Sequence, residues 1–312
     1  MFTSSWPKME SRLFQLHAAE QFEEALAFLN TMEETHPDQT LWVIHYRTCL
    51  LTRLGRIPQA LSLLKSALNN GVWLPPYLLR SDNDLAILQT DAEFAALLLE
   101  CDKRLLEAQK QAKKGLLLYH PDMEKLPKEW FIGLHGGGDA ALSFAARFQN
   151  STLLNHFSLA IPQSEQVRGP QQFGWGDRDV AKSHMIALRH ILAEHEPLTP
   201  AWLCGFSQGG RLALECAFQN LLPVRHCIAV APALTDGIAA TYHNMGVVKQ
   251  TGVRFTFIIG ENDWTRDKST EIHTMLLEHG IKSELQIVPN LGHAWPDDFE
   301  QRLSKIIAEN IL

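Results

Sequence analysis

The sequence predicts an α/β fold in which a mostly parallel sheet carries helices on both faces and follows an all-α, repeat-like region. Two observations support this prediction. Over residues 113–312, short apolar runs bounded by turns alternate with amphipathic helical stretches, as in a parallel sheet buried on both sides. Over residues 8–112 there is no strand-like alternation and almost no Gly or Pro inside segments. We therefore expect a helical domain at 1–112 and an α/β domain at 113–312.

The composition is that of an ordinary globular protein and excludes several partners. Hydrophobic residues make up 46% of the 312 residues and charged residues 20%, which is usual for this class. The formal net charge of -7 argues against nucleic acid or an anionic membrane as a standing partner. No apolar stretch approaches the roughly 18 residues of a membrane span. The amino terminus also lacks the basic start and apolar core of a signal peptide.

The five cysteines favour a reducing compartment. None of them stands in a C-x-x-C pair, and three lie inside apolar runs as small core residues. This spacing does not fit a structural zinc site. We therefore expect a cytoplasmic protein with no metal ion.

The helical region contains two similar segments. Residues 21–29 align with 56–64 at an offset of 35, so that Ala25 falls on Ala60 between large apolar residues. A two-helix period of this length resembles the tetratricopeptide repeat. With only two recognisable repeats, a helical platform or a self-association surface is favoured over a peptide-binding groove. We expect any homo-oligomer or protein partner to be bound through residues 1–112.

The later region predicts seven strands with five helices. The strands are expected at 116–119, 130–134, 157–161, 201–205, 226–231, 254–259 and 284–288. The helices are expected at 140–148, 178–194, 210–220, 267–279 and 297–310. Because functional sites in such folds lie at the carboxyl ends of the strands, the residues after each strand are the candidates.

The sequence Gly-Phe-Ser-Gln-Gly at 205–209 follows one of these strands and precedes a helix. A serine at the apex of such a turn is the context of a nucleophile elbow. The flanking glycines, Gly205 and Gly209, remove side chains that would collide with the strand and the helix. The motif alone is weak evidence, since Ser207 also fits an ordinary strand-to-helix turn.

An acid and a histidine follow two later strands. Asp263 comes after the strand at 254–259, and His293 comes after the strand at 284–288. A serine needs a histidine to take its proton, and a carboxylate fixes the tautomer of that histidine. Three other acids remain alternatives to Asp263; they are Glu261, Asp267 and Asp236.

Two further segments are expected near the site. The run His135-Gly-Gly-Gly-Asp139 frees backbone N–H groups to line an oxyanion hole. We expect His135 to orient this loop, and His135 is also a candidate residue of the substrate pocket. The stretch 162–177 is too irregular to predict an element and would cross the mouth of the site. Phe173 and Trp175 within it are candidate pocket walls, unless the stretch is a plain surface connection.

Four motifs in order resemble the phospholipase/carboxylesterase family of α/β-hydrolases, which includes bacterial carboxylesterases and acyl-protein thioesterases. The motifs lie at 134–139, 205–210, 260–263 and 292–293. The resemblance covers roughly residues 115–312.

The resemblance implies a role for each matching residue. Ser207 would be the nucleophile, Asp263 the orienting acid and His293 the base, while the N–H groups of Gln208 and Gly137 would form the oxyanion hole. The expected reaction is cleavage of a small-molecule carboxylic ester through an acyl-enzyme, without metal or cofactor. Two alternatives stay open. One is a thioesterase using the same residues, and the other is a non-catalytic scaffold that binds partners through its helical repeats.

Overall fold

The computed structural model describes residues 6–120, 129–148, 153, 156–195, 199–234 and 245–311. The chain divides into two compact units. The first, here called the helical unit, comprises Met1–Gln111 and Arg168–Pro170, and the second, the sheet unit, comprises Ala112–Val167 and Gln171–Leu312. None of the helices described has the length and apolar character that crossing a bilayer requires.

The helical unit is built from helices that pack against their neighbours in the chain. They are α1 (Trp6–Ala18), α2 (Phe22–Thr35), α3 (Thr40–Arg53), α4 (Ile57–Asn69), α5 (Pro76–Ser81) and α6 (Ala92–Gln111). Two 3₁₀ helices, Pro37–Gln39 and Asn83–Thr90, lie between them. The two segments that align in sequence form α2 and α4. Their aligned alanines, Ala25 and Ala60, are fully buried, because a small side chain lets two helices approach closely.

The sheet unit contains a seven-stranded sheet. Its strands are β1 (Gly115–Tyr119), β2 (Trp130–Leu134), β3 (Ser158–Gln163), β6 (Ala201–Phe206), β7 (Val224–Val230), β8 (Arg254–Gly260) and β9 (Ser283–Val288). They lie side by side in the order β1-β3-β2-β6-β7-β8-β9. The edge strand β1 runs antiparallel to β3, and all other neighbours in the sheet are parallel. A separate two-stranded sheet pairs β4 (Gln166–Gly169) with β5 (Gln172–Gly174).

Helices cover both faces of the large sheet. They are α7 (Ala141–Ala145), α8 (Arg178–His195), α9 (Gln208–Gln219), α10 (Met245–Thr251), α11 (Arg266–Glu278) and α12 (Phe299–Ile311). Successive side chains of a strand point to opposite faces, so Ile132 of β2 joins the apolar cluster with α8 to α11, while Phe131 joins the cluster with α7 and α12. The predicted fold class, a mostly parallel sheet with helices on both faces and a preceding all-helical region, is therefore confirmed.

One expectation about the segment that follows β3 is wrong. The stretch 162–177 contains the end of β3 and the hairpin of β4 and β5. The alternation that signals a strand is hidden because these strands have only four and three residues and are rich in Gln and Gly. The turn between them holds Gln171 at a positive φ of 53°, a conformation that sequence patterns rarely reveal for this residue type.

Two buried histidines make the stability of the sheet unit depend on pH. His226 bonds Thr256 Oγ1 through its Nε2 at 2.9 Å, and His184 lies 5.4 Å from the ring of Trp175. Burial, together with nearby positive groups, lowers the pKa of each to about 4. The ordinary pKa of about 6.5 applies in the unfolded chain, so the unfolded chain takes up protons first as the pH falls. The contribution of these two neutral histidines to the free energy of unfolding is therefore fully present above pH 6.5 and is lost as the pH falls from 6.5 to 4.

On acidification, wild type is expected to lose up to roughly 3 kcal/mol of its free energy of unfolding through His226. His226→Gln is expected not to show this part of the loss. The check is urea denaturation followed by tryptophan fluorescence at pH 7 and pH 4.5. His279→Gln is the matched control, because it replaces an exposed histidine of the same unit. An identical pH dependence in wild type and His226→Gln would contradict the assignment.

Candidate active site

Ser207 occupies the tight turn between β6 and α9. Its backbone has φ 52° and ψ −115°, a strained region for a residue with a Cβ atom. Three hydrogen bonds hold it there: the N–H of Ser207 donates to the carbonyl of Val230 at 3.0 Å, and its carbonyl accepts from Arg211 at 3.0 Å and Ala233 at 2.9 Å. The serine is thus fixed at the carboxyl end of a central strand.

The two glycines of the motif allow this turn to pack closely. A Cβ atom on Gly205 would lie 2.2 Å from the carbonyl oxygen of Gly209. A Cβ atom on Gly209 would lie 2.2 Å from the carbonyl oxygen of Leu134, the last residue of β2. Because both contacts are with backbone atoms that cannot move aside, the turn requires glycine at both positions.

Ser207, His293 and Asp263 form a continuous hydrogen-bonded chain. His293 Nε2 lies 2.9 Å from Ser207 Oγ, and His293 Nδ1 lies 3.1 Å from each carboxylate oxygen of Asp263. Asp263 follows β8 and His293 follows β9, so the parallel strands bring the three side chains to one edge of the sheet. An imidazole placed between a hydroxyl and a carboxylate can take the hydroxyl proton while the carboxylate stabilises the resulting charge.

The environment of Asp263 keeps it ionised. Its side chain is fully buried, and burial alone would raise its pKa. Hydrogen bonds from His293 and from the backbone N–H of Thr265, the latter at 2.8 Å, outweigh burial and hold the pKa of Asp263 below its ordinary value. The imidazole of His293 lies between two aromatic rings, 5.5 Å from Phe206 and 5.2 Å from Trp264.

The alternative acids are placed elsewhere. Glu261 accepts a hydrogen bond from the backbone N–H of Asn290 at 2.9 Å, and Asp267 is exposed in the first turn of α11. Asp236 lies outside the described residues. Within the part of the chain that the structure describes, Asp263 is the carboxylate bonded to His293.

The two expected oxyanion-hole donors lie in the segments that follow β6 and β2. The N–H of Gln208 is the first of α9, and helix-initial N–H groups have no partner within the helix. Gly137 lies in the exposed turn after β2. No described residue accepts a hydrogen bond from either N–H group. The glycine loop is anchored on β5, since Gly138 donates to the carbonyl of Phe173 at 2.7 Å. Both N–H groups are therefore available to a negatively charged oxygen.

His135 and Trp175 pack against each other next to the glycine loop that follows β2. Both side chains are 0% exposed and their rings lie 4.9 Å apart. The indole N–H of Trp175 donates to the carbonyl of His135 at 3.0 Å, and His135 Nδ1 lies 2.9 Å from the carbonyl of Gly136. Burial lowers the pKa of His135, despite opposing effects of the Gly136 carbonyl and Asp139. Neither side chain offers a surface to a substrate in this structure. Phe173, in contrast, is half-buried.

A buried ion network, not expected from the sequence, joins α9 to the start of α8 and to Trp175, which follows β5. Glu215 is buried with its carboxylate 2.8 Å from Arg178 and 3.8 Å from Arg211. The guanidinium of Arg211 also donates to the carbonyl of Trp175. The side-chain oxygen of Gln208 accepts the backbone N–H of Trp175 at 2.8 Å. These contacts fix the first turn of α9, where the Gln208 N–H lies. The sequence does contain a sign of this network: Arg211 and Glu215 stand one helical turn apart just after the elbow.

The sheet order, the elbow and the strand-end residues define an α/β-hydrolase fold with an N-terminal helical region. Residues 7–109 match a family model described as the A/B hydrolase-like, N-terminal domain. No curated protein matches the chain in sequence.

Solved structures share the fold at low sequence identity. An uncharacterized protein from Bacillus cereus ATCC 10987 is 23% identical, with a TM-score of 0.55 over 98% of this chain and 99% of that one. Esterase PE8 is 20% identical, with a TM-score of 0.50 over 64% of this chain and 99% of its own. Acyl-protein thioesterase 2 from Zea mays is 14% identical, with a TM-score of 0.51 over the same shares. The first of these spans nearly the whole chain, and the other two span about two thirds of it.

Proposed function

We propose that this protein is a serine hydrolase of the phospholipase/carboxylesterase type that cleaves carboxylic esters. The observation that carries the proposal is the chain of hydrogen bonds from Ser207 through His293 to Asp263, at 2.9 Å and 3.1 Å. We assign the reaction to the domain at 113–312, to which all three residues belong.

The reaction follows from the positions of the three side chains. His293 Nε2 takes the proton of Ser207 as Oγ attacks the ester carbonyl, and Asp263 stabilises the imidazolium that forms. The N–H groups of Gln208 and Gly137 receive the negative carbonyl oxygen, aided by the positive end of α9. The alcohol leaves with the proton from His293. Water then gives its proton to His293 and attacks the acyl-enzyme, which releases the acid and restores Ser207.

The choice of an ester substrate rests on this geometry together with the motifs of the α/β domain. Esterase PE8 and the Zea mays acyl-protein thioesterase share the fold, and one is named an esterase and the other a thioesterase. A thioesterase would use the same residues. The two activities differ in the atom that leaves the acyl group, which is oxygen in an ester and sulfur in a thioester.

The proposal predicts turnover of esters and covalent labelling at one residue. A series of p-nitrophenyl esters from short to long acyl chains gives the preferred chain length, and thioesters of the same acyl groups give the preference for the leaving atom. A fluorophosphonate probe is expected to modify Ser207, located by peptide mass spectrometry, because the probe reacts with a serine that a histidine activates. Absence of both turnover and labelling would contradict the proposal and favour the scaffold alternative.

A further inference from the structure

The helical unit contains three ligand atoms that the proposed hydrolysis does not use. His45 and Cys49 are one helical turn apart on α3, so they lie on the same face, and Asp82 precedes the 3₁₀ helix Asn83–Thr90. His45 Nε2 is 3.0 Å from Asp82 Oδ2, and Cys49 Sγ is 3.5 Å from the same oxygen. Cys49 Sγ is 4.0 Å from His45 Nε2. The three atoms therefore form a small triangle.

The size of this triangle suits a tetrahedral metal ion. Zinc binds nitrogen and oxygen at about 2.0–2.1 Å and sulfur at about 2.3 Å, so neighbouring ligand atoms around it are roughly 3.3–3.6 Å apart. The observed separations of 3.0, 3.5 and 4.0 Å lie within about half an ångström of this range. Small side-chain rotations are enough to place all three atoms around one ion.

The surrounding contacts hold the ligands in place. Asp82 Oδ1 accepts the backbone N–H of Asp84 at 3.0 Å, which leaves Oδ2 facing the triangle. His45 is 3% exposed and its ring packs 5.7 Å from Tyr46. Its Nδ1 is buried and bonds no described residue, so Nε2 is the ring nitrogen with polar neighbours. Cys49 is 4% exposed.

A cavity of about 250 Å³ opens beside the triangle and is lined by both Cys49 and Asp82. Asp84 also lines it and adds a second carboxylate, which is paired with His17 at 2.5 Å and with Arg53 at 3.4 Å. A fourth coordination position can therefore face a space large enough for water or a small ligand. Three protein ligands with one open position is the arrangement of zinc sites that bind an exchangeable group.

We propose that His45, Cys49 and Asp82 bind a divalent cation with the preferences of zinc, and that the fourth position faces the cavity. One nitrogen, one sulfur and one oxygen donor suit zinc better than magnesium or calcium, which prefer oxygen alone. Binding exchanges the thiol proton of Cys49 for the cation, since the thiolate is the ligand. The sequence does not indicate this site, because it has no C-x-x-C pair and because Asp82 lies far from α3 along the chain.

The test is a Co²⁺ titration of the full chain, purified with a chelator and then dialysed. Tetrahedral cobalt with a thiolate ligand gives intense visible bands and a sulfur-to-cobalt charge-transfer band, and we expect saturation at one ion per chain. In a parallel sample, zinc is added to the metal-free chain and the excess is removed by dialysis; the zinc that remains, measured by mass spectrometry, is expected to show the same stoichiometry. Cys49→Ser and Asp82→Asn are each expected to weaken binding more than about 100-fold, since even outer-sphere partners account for 10- to 100-fold.

Cys101→Ser is the matched control, because Cys101 is a second buried cysteine of the helical unit and lies outside the triangle. It is expected to keep the bands and the stoichiometry of wild type. Circular dichroism of the metal-free variants checks that each retains its helices. Wild type without charge-transfer absorption, or folded Cys49→Ser with wild-type affinity, would overturn the proposal. Ester hydrolysis is not a readout here, so this result stands apart from the proposed function.

Discussion

Ser207→Ala is expected to lower kcat for p-nitrophenyl ester hydrolysis by about 10⁴- to 10⁶-fold. The hydroxyl is the atom that His293 Nε2 faces at 2.9 Å, and alanine leaves the histidine and the aspartate with no nucleophile to activate. The N–H groups of Gln208 and Gly137 remain in the variant, so a small residual rate above the uncatalysed reaction is expected. Initial rates for wild type and variant on one short-chain ester measure the effect.

Ser304→Ala is the control for this experiment. Ser304 is an exposed serine on α12 and belongs to the same unit, so its replacement is expected to leave kcat within about twofold, as is usual for a surface substitution. Ester turnover that survives in Ser207→Ala would show that another residue carries the reaction, and the proposed nucleophile would be wrong.

Asp263→Asn is expected to lower kcat by about 10⁴-fold while leaving the fold intact. The backbone N–H of Thr265 donates to Asp263 Oδ1 at 2.8 Å, so the asparagine keeps its carbonyl oxygen there and turns its NH₂ group toward His293 Nδ1. That nitrogen then has to accept a hydrogen bond, which forces the imidazole proton onto Nε2. A protonated Nε2 cannot take the proton of Ser207. Comparing kcat with that of wild type at neutral pH gives the effect.

The alternative acids supply the matched controls. Glu261→Gln and Asp267→Asn remove a carboxylate from the same segment without touching His293, and we expect each to retain kcat within about tenfold, far above Asp263→Asn. Asp236→Asn completes the set. If one of these three variants lost activity as Asp263→Asn is expected to, while Asp263→Asn stayed active, the orienting acid would be reassigned.

The sequence predicted the sheet well because its central strands are buried on both faces. β2 and β6 are buried apolar runs, and each is followed directly by a polar residue, His135 and Ser207, which marks where the strand ends. Since sites of this fold lie at those ends, strand-end position together with the motif at 205–209 made Ser207, Asp263 and His293 the candidates. The distances between the three side chains could be obtained only from the structure.

Other features escaped prediction because their signals are not local. As a large aromatic residue in an irregular stretch, Trp175 is a candidate pocket wall in the sequence, but its side chain is buried and its indole N–H donates to the carbonyl of His135. The hairpin of β4 and β5 depends on a turn with Gln171 at positive φ. The triangle of His45, Cys49 and Asp82 joins residues from two elements, and nothing in the spacing of the cysteines indicates it.

The parallel arrangement of β6, β7, β8 and β9 has a consequence for folding. The serine, the acid and the base are 56 and 30 residues apart along the chain, and each depends on a strand pairing that closes a long loop. Contacts of this kind form more slowly than the neighbour-to-neighbour helix packing of the helical unit. We therefore expect the three side chains to come together late in folding, so that ester turnover during refolding would appear only when the sheet is complete, after the helices of the first unit have formed.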